Sequence, residues 1–174
     1  WSMIFTGPPY TFTFKPIGSN GGILGPNAVV EHDGVLYWLS YKDFYLYDGS
    51  VKVMPCDVHN HIFDDFNFVQ KIKCHAHVNR LFGEIWWFYC SANASEIDKY
   101  VIYSIGEGTW SIGSLVRTAF VGDSDLFNVP YATGSDGYLY DHDTGTDNDL
   151  AAAITSYLQS GGIEIGEGEV MMLV

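Results

Sequence analysis

Apolar side chains recur at every second position in one stretch of this chain after another. Asp33 to Gly49, DGVLYWLSYKDFYLYDG, joins two such stretches and is closed at both ends by Asp-Gly. Period-two alternation puts successive side chains on opposite faces of a strand, and Asp-Gly is a turn signal, so the segment predicts paired strands. The pattern then returns. DGVLYW begins at Asp33, GEIWWFY at Gly83 and DGYLYDHD at Asp136, with Gly34, Gly83 and Gly137 standing 49 and 54 residues apart. In the first copy KDFYLYDGS supplies a further strand; in the second, the polar loop SANASEID leads to DKYVIYSIGEGTWSIG and a strand bearing Trp110. Trp1-Ser2 repeats Trp110-Ser111 at a distance of 109 residues, as the close of a preceding unit would.

A period near fifty with a turn glycine, paired aromatic strands and a closing Trp predicts an all-β chain of kelch-type β-propeller blades, here a partial ring. A blade is a small sheet that cannot bury both faces alone, so wide flat side chains fill the gap between neighbours. Tyr37, Trp38, Tyr45, Tyr47, Trp86, Trp87, Tyr103, Trp110, Tyr138 and Tyr140 are the expected core and interface positions. The alternative is a β-sandwich whose hairpins recur at similar spacing. The expected organisation is the end of a preceding blade and a linker over residues 1–28, propeller-like blades over 29–149 with repeats starting near 33, 83 and 136, and a β-hairpin over 150–174 leading to a further β region. That last hairpin is expected to turn at Gly161-Gly162. Between the first two repeats, Ile62, Phe63, Phe66, Val69 and Ile72 fall near helical spacing, with acids early and lysines late, which predicts one or two helical turns. Both ends read as cut from a longer chain.

Composition agrees with this picture. The chain has 174 residues, 47% hydrophobic and 16% aromatic, enough for one ordinary domain with a sizeable core. The formal net charge of −13 and the scattering of eight Lys and Arg argue against tight nucleic-acid binding. No stretch of eighteen apolar residues is present to span a membrane as a helix, and no signal peptide is visible. Cys56, Cys74 and Cys90 show no Cys-x-x-Cys spacing and read as reduced packing residues of a cytoplasmic protein.

Chemistry-bearing patterns are few. His59 and His61, then His75 and His77, are i,i+2 pairs that a strand would turn to one side, making them weak metal-ligand candidates. Asp141, Asp143 and Asp147 concentrate carboxylates around Gly145 but miss the calcium-loop spacing, with Ala152 where a bidentate Glu belongs. A polar turn is the simpler reading. No nucleophile turn or phosphate-cradling glycine loop occurs, so the chain is read as a non-enzyme without a cofactor. Trp86, Trp87, Tyr37 and Trp38 are also candidate sugar-stacking platforms, which keeps open a receptor- or glycan-binding module.

Several stretches carry a resemblance. VVEHDGVLYWLSYKDFYLYDG, IFDDFNFVQKI, NRLFGEIWWFYCSANASEIDKYVIYSIGEGTWSIGSLVRTAF, DGYLYDHDTG and IEIGEGEV, in this order, resemble a virion structural protein family of tailed bacteriophages. These are the propeller-bearing tail tube, nozzle and head-completion or stabilization proteins, and the resemblance runs from about Val29 to the C-terminus. It implies a virion component assembled in the host cytoplasm, a tail-tube, nozzle or head–tail connector part forming a ring with copies of itself and with other virion proteins. DNA would pass nearby without being held. No catalytic residue is implied.

Overall fold

The computed structural model describes residues 1–18, 21–122, 129–148, 152–153, 163–164 and 171–172. Among the described residues strand outweighs helix, 45% to 9%, and every sheet is antiparallel. The chain divides into two compact units, Trp1–Asp143 and Thr144–Val174.

In the first unit a short hairpin, β1 (Ser2–Phe5) with β2 (Phe12–Lys15), precedes a four-stranded sheet. That sheet is a meander of β3 (Val29–His32), β4 (Val35–Leu39), β5 (Phe44–Tyr47) and β6 (Val51–Met54). Asp33 and Gly34 both take positive φ, 49° and 79°, at the β3–β4 turn. Two consecutive left-handed residues make the turn whose twist matches that of the strands, and the Asp-Gly pair is there because few other pairs tolerate it. The connection to the next sheet holds α1 (His59–Asp64) and a 3-10 helix, Phe68–Lys73, capped by the Asn67 side chain accepting from Val69 N–H at 3.0 Å. These are the helical turns the Ile62–Ile72 spacing predicts.

The second sheet repeats the first strand for strand: β7 (His75–Asn79), β8 (Glu84–Tyr89), β9 (Lys99–Ser104) and β10 (Thr109–Ser114). Setting Gly34 on Gly83 makes the registers coincide. Trp38 lies opposite Tyr45 as Trp87 lies opposite Val101, and Tyr47 opposite Val51 as Tyr103 opposite Trp110. The faces coincide as well. Tyr37, Leu39 and Phe44 of the first sheet join Ile85, Trp87 and Val101 of the second in one buried cluster. Their equivalents one sheet on, Trp86, Phe88 and Tyr100, point away from the first sheet and pack with Phe120 and Ala132. The first strands run side by side, the Ala76 N–H donating to the Asn27 carbonyl at 2.7 Å.

A third, three-stranded sheet follows, of β11 (Ala119–Val121), β12 (Tyr131–Thr133) and β13 (Leu139–Asp141). Its Gly137, with φ 86°, sits in the second turn of its sheet, whereas Gly34 and Gly83 sit in the first. The aromatic stretch DGYLYD is therefore offset by one strand from its two predecessors. β11 approaches β7 so closely that a Cβ on Gly122 would lie 1.7 Å from the Val78 carbonyl oxygen, which leaves room only for glycine. In the second unit Asp147–Asn148 pairs with Ala152–Ala153, and Ile163–Glu164 pairs with Met171–Met172. The expected turn at Gly161-Gly162 lies outside the described residues.

Candidate functional site

The sequence candidates divide by the gap they fill. Between the first and second sheets, Trp87 is fully buried and meets Phe44 edge-on at 5.0 Å, while Trp110 lies 4.6 Å from the same ring. Tyr37 and Tyr103 close the other end of this layer at 6.4 Å. Two indoles are tied to the neighbouring sheet's backbone, Trp87 donating to the Ala28 carbonyl at 3.3 Å and Trp110 to the Pro55 carbonyl at 2.7 Å. A buried indole needs such a partner for its N–H. Between the second and third sheets Trp86 stacks on Tyr100 at 4.9 Å and on Phe120 at 5.8 Å, its N–H held by Glu84.

Trp38, Tyr45 and Tyr47 lie on the opposite face of the first sheet. Trp38 and Tyr45 stack with an interplanar angle of 13°, and the Trp38 indole donates to the Gly21 carbonyl at 2.8 Å. A groove of about 450 Å³ runs along this face, floored by Leu36, Trp38, Tyr47 and Val51 and walled by Ile23 and Trp1. Tyr140 carries the Arg117 guanidinium over its ring at 4.3 Å and donates its hydroxyl to Asp136, whose carboxyl this bond holds below the ordinary range. Tyr138 is different: 61% exposed, it faces solvent and contributes no core. Trp87 is no platform for a sugar either, because no part of its ring is accessible. Both corrections follow from alternation, which gives which positions share a face but not what lies opposite.

Tyr89, Phe44, Phe88 and Phe120 are buried rings outside the expected core positions. Phe44 and Phe88 were legible from the alternation of FYLY and EIWWFY. Phe120 follows a loop and had no pattern to mark it.

The four histidines are not gathered. His59 and His61 lie on α1, where i and i+2 diverge, rather than on a strand. His59 contacts the Lys42 carbonyl at 2.6 Å and Asp43 at 3.5 Å; that carbonyl contact, first, raises its pKa. His75 and His77 do share one side of β7, ring centroids 4.8 Å apart, but they pack on phenyl rings, His75 on Phe88 with its Nε2 3.3 Å from the Arg117 carbonyl and His77 against Phe120. Burial lowers both, His77 to about 3. They line one wall of a cleft of about 530 Å³ where β3, β7 and β11 come together, beside Lys73, Asn27 and Thr118.

Asp141 is exposed on β13, Asp143 accepts from the Asn79 amide at 2.8 Å, and Asp147 belongs to the second unit. Among the described residues no three His, Cys, Asp or Glu side chains are grouped to hold a metal. Desolvation raises all three thiols, Cys56 to about 11, so none is a thiolate nucleophile at neutral pH. Among the described residues no helix is long and apolar enough to cross a membrane. No protein-family model matches the chain, and no curated protein matches it in sequence.

Proposed function

We propose that the chain is a structural component of a tailed-phage virion, its sheets stacked as propeller blades in the wall of a tail-tube, nozzle or head–tail connector channel. One observation carries the reading. Two consecutive four-stranded meanders present equivalent residues to their successors, with first strands adjacent, which is how blades follow one another about an axis. A β-sandwich, the alternative architecture, has two faces and no reason for the residues of one layer to recur in the next. The acidic charge suits a wall past which DNA moves, since it offers phosphate little to grip. The phage assignment itself rests on the sequence resemblance. Mass spectrometry of purified particles tests it: the chain is expected in the particle at several copies, and its confinement to infected-cell lysate would end the proposal.

A second reading, a receptor- or glycan-binding tail module, has one observation in its favour. Tyr41 and Phe68 stack with an interplanar angle of 8° at the surface, with Lys71 over the Tyr41 ring and Asp43 and His59 nearby. An aromatic plane beside polar groups is the surface a sugar ring takes. Glycan-array binding that disappears in Tyr41→Ala with the fold intact would support it; an array without signal would dispose of it.

A further inference from the structure

Both sides of the gap between the second and third sheets carry histidine, and one buried cation meets both sides. Arg117, 3% exposed just before β11, lies with its carbonyl 3.3 Å from His75 Nε2 on β7. Its Nε–H donates to Nε2 of His142, just after β13, at 2.8 Å. A carbonyl only accepts, so His75 carries its proton on Nε2; its Nδ1 is buried without a hydrogen-bond partner. A second proton there would bury a charge and an unmatched N–H together. A guanidinium only donates, so His142 must turn a lone pair toward it and is neutral in this arrangement. Protonation would set donor against donor and cation against cation. Phe120, 2% exposed, packs between the two sides, with the His77 ring centroid at 5.6 Å and that of His142 at 5.1 Å.

The surroundings offer the rings on β7 little countercharge. Among the described residues no carboxylate bonds His75 or His77. On β8, Glu84 is engaged by the Trp86 N–H, and β9 brings Tyr100, whose hydroxyl burial keeps neutral. Alongside β7, Glu31 of β3 accepts from the Gly34 N–H and His32 lies 3.5 Å from Asp33. Lys73 and Glu96, across the cleft, pair with each other at 2.6 Å. On the third sheet, Asp136 is held by Tyr140 and lies in the field of Arg117, β12 and β13 carry Tyr131 and Asp141, and Asp143 just beyond them accepts from Asn79. The third sheet is also the smallest of the three, with strands of three residues against six in β8, β9 and β10, and Phe120 and Ala132 as its buried hydrophobic residues.

From this arrangement we propose that the third sheet is released by acid: protons taken by His75, His77 and His142 around the fixed Arg117 charge part β11–β13 from the second sheet, while the first two sheets stay packed. The direction follows from linkage. Above about pH 6.5 the rings on β7 are neutral with the gap closed or open; as pH falls, the open form binds protons that the closed form refuses, and burial holds both closed-form rings below that value. The device does not depend on the virion reading.

Two native thiols report on it separately. Cys90 lies in the layer with Phe120 and Ala132, and Cys74 in the layer between the first and second sheets. Both are labelled with 4,4′-dithiodipyridine, which reacts in acid, and read by peptide mass spectrometry, each rate divided by that of the urea-unfolded chain at the same pH. Between about pH 7 and about pH 4.5 the relative rate of Cys90 is expected to rise on the order of tenfold, with that of Cys74 unchanged. In the triple variant His75→Gln, His77→Phe, His142→Gln the rise disappears, because glutamine keeps the N–H for the Arg117 carbonyl and an oxygen for its Nε but takes no proton. Near-ultraviolet circular dichroism at neutral pH checks its fold; if the triple variant does not fold, His142→Gln alone is expected to reduce the rise by about threefold. Cys90 that stays protected in acid, Cys90 and Cys74 that open together, or a rise that persists undiminished in the folded variant overturns the proposal.

Discussion

The first and second sheets have the same strand order, the same pairing registers and the same turn glycine, yet the second packs against a sheet on each face and the first against a sheet on one. In the second sheet Trp87 touches a whole neighbouring sheet; in the first, Trp38 lies under a strip of glycine backbone beside a groove. Equivalent residues thus do unequal work. What a side chain contributes to stability is set by the surface that faces it, and equivalent indoles are buried under different cover, Trp87 beneath a sheet and Trp38 beneath a glycine segment.

Paired substitutions sharpen this contrast. Trp87→Ala is expected to cost about 3–5 kcal/mol in urea unfolding, the range for emptying a closed aromatic site. Trp38→Ala should cost roughly half as much, because the glycine segment and solvent can fill part of the space. Equal losses would mean that the glycine strip packs as well as a sheet. The turns should not differ: Gly34→Ala and Gly83→Ala, both at positive φ with open space at the Cβ, are each expected to cost on the order of 1 kcal/mol from backbone strain.

Acid should act on the gap behind the second sheet. Burial depresses His75 and His77 below the ordinary value of 6.5. Both are neutral in folded and unfolded chains above that value, so their contribution is fully present there. As pH falls from about 6.5 toward 3, the unfolded chain binds protons that the folded one refuses, and stability declines. A loss on the order of 1 kcal/mol by pH 5 is expected in thermal or urea melts. His59, raised by its carbonyl contact, acts above that range: its contribution is fully present below about 6.5 and is lost as pH rises through its folded pKa. His77→Phe, matched to the Phe120 and Trp86 rings around it, should flatten the slope; an unchanged slope would place the acid sensitivity elsewhere. The smallest effect belongs to the open face. Val53→Ser should change the stability of the single copy by no more than about 0.5 kcal/mol, as surface positions do.

Much of this architecture was legible before any coordinate. Alternation in DGVLYWL and GEIWWFY determines which side chains share a face, because a strand has period two whatever surrounds it. The Asp-Gly and Gly83 turns determine where those strands end, and the equivalence of Trp38 with Trp87 follows from the spacing. The helical turns between the sheets were visible in Ile62 to Ile72 for the same reason. What lies opposite each face was not visible, since that depends on residues tens of positions away whose approach no local pattern encodes. Hence Tyr138, spaced like its counterparts, faces water, Phe120 with no pattern around it fills a layer, and His75 and His77 pack against phenyl rings. The sequence by itself determined the strands and their two-sidedness, because these are properties of the backbone and its nearest neighbours. Only the tertiary structure decided which of those sides is covered, because cover is a contact between distant segments, and there the two copies of one pattern part company.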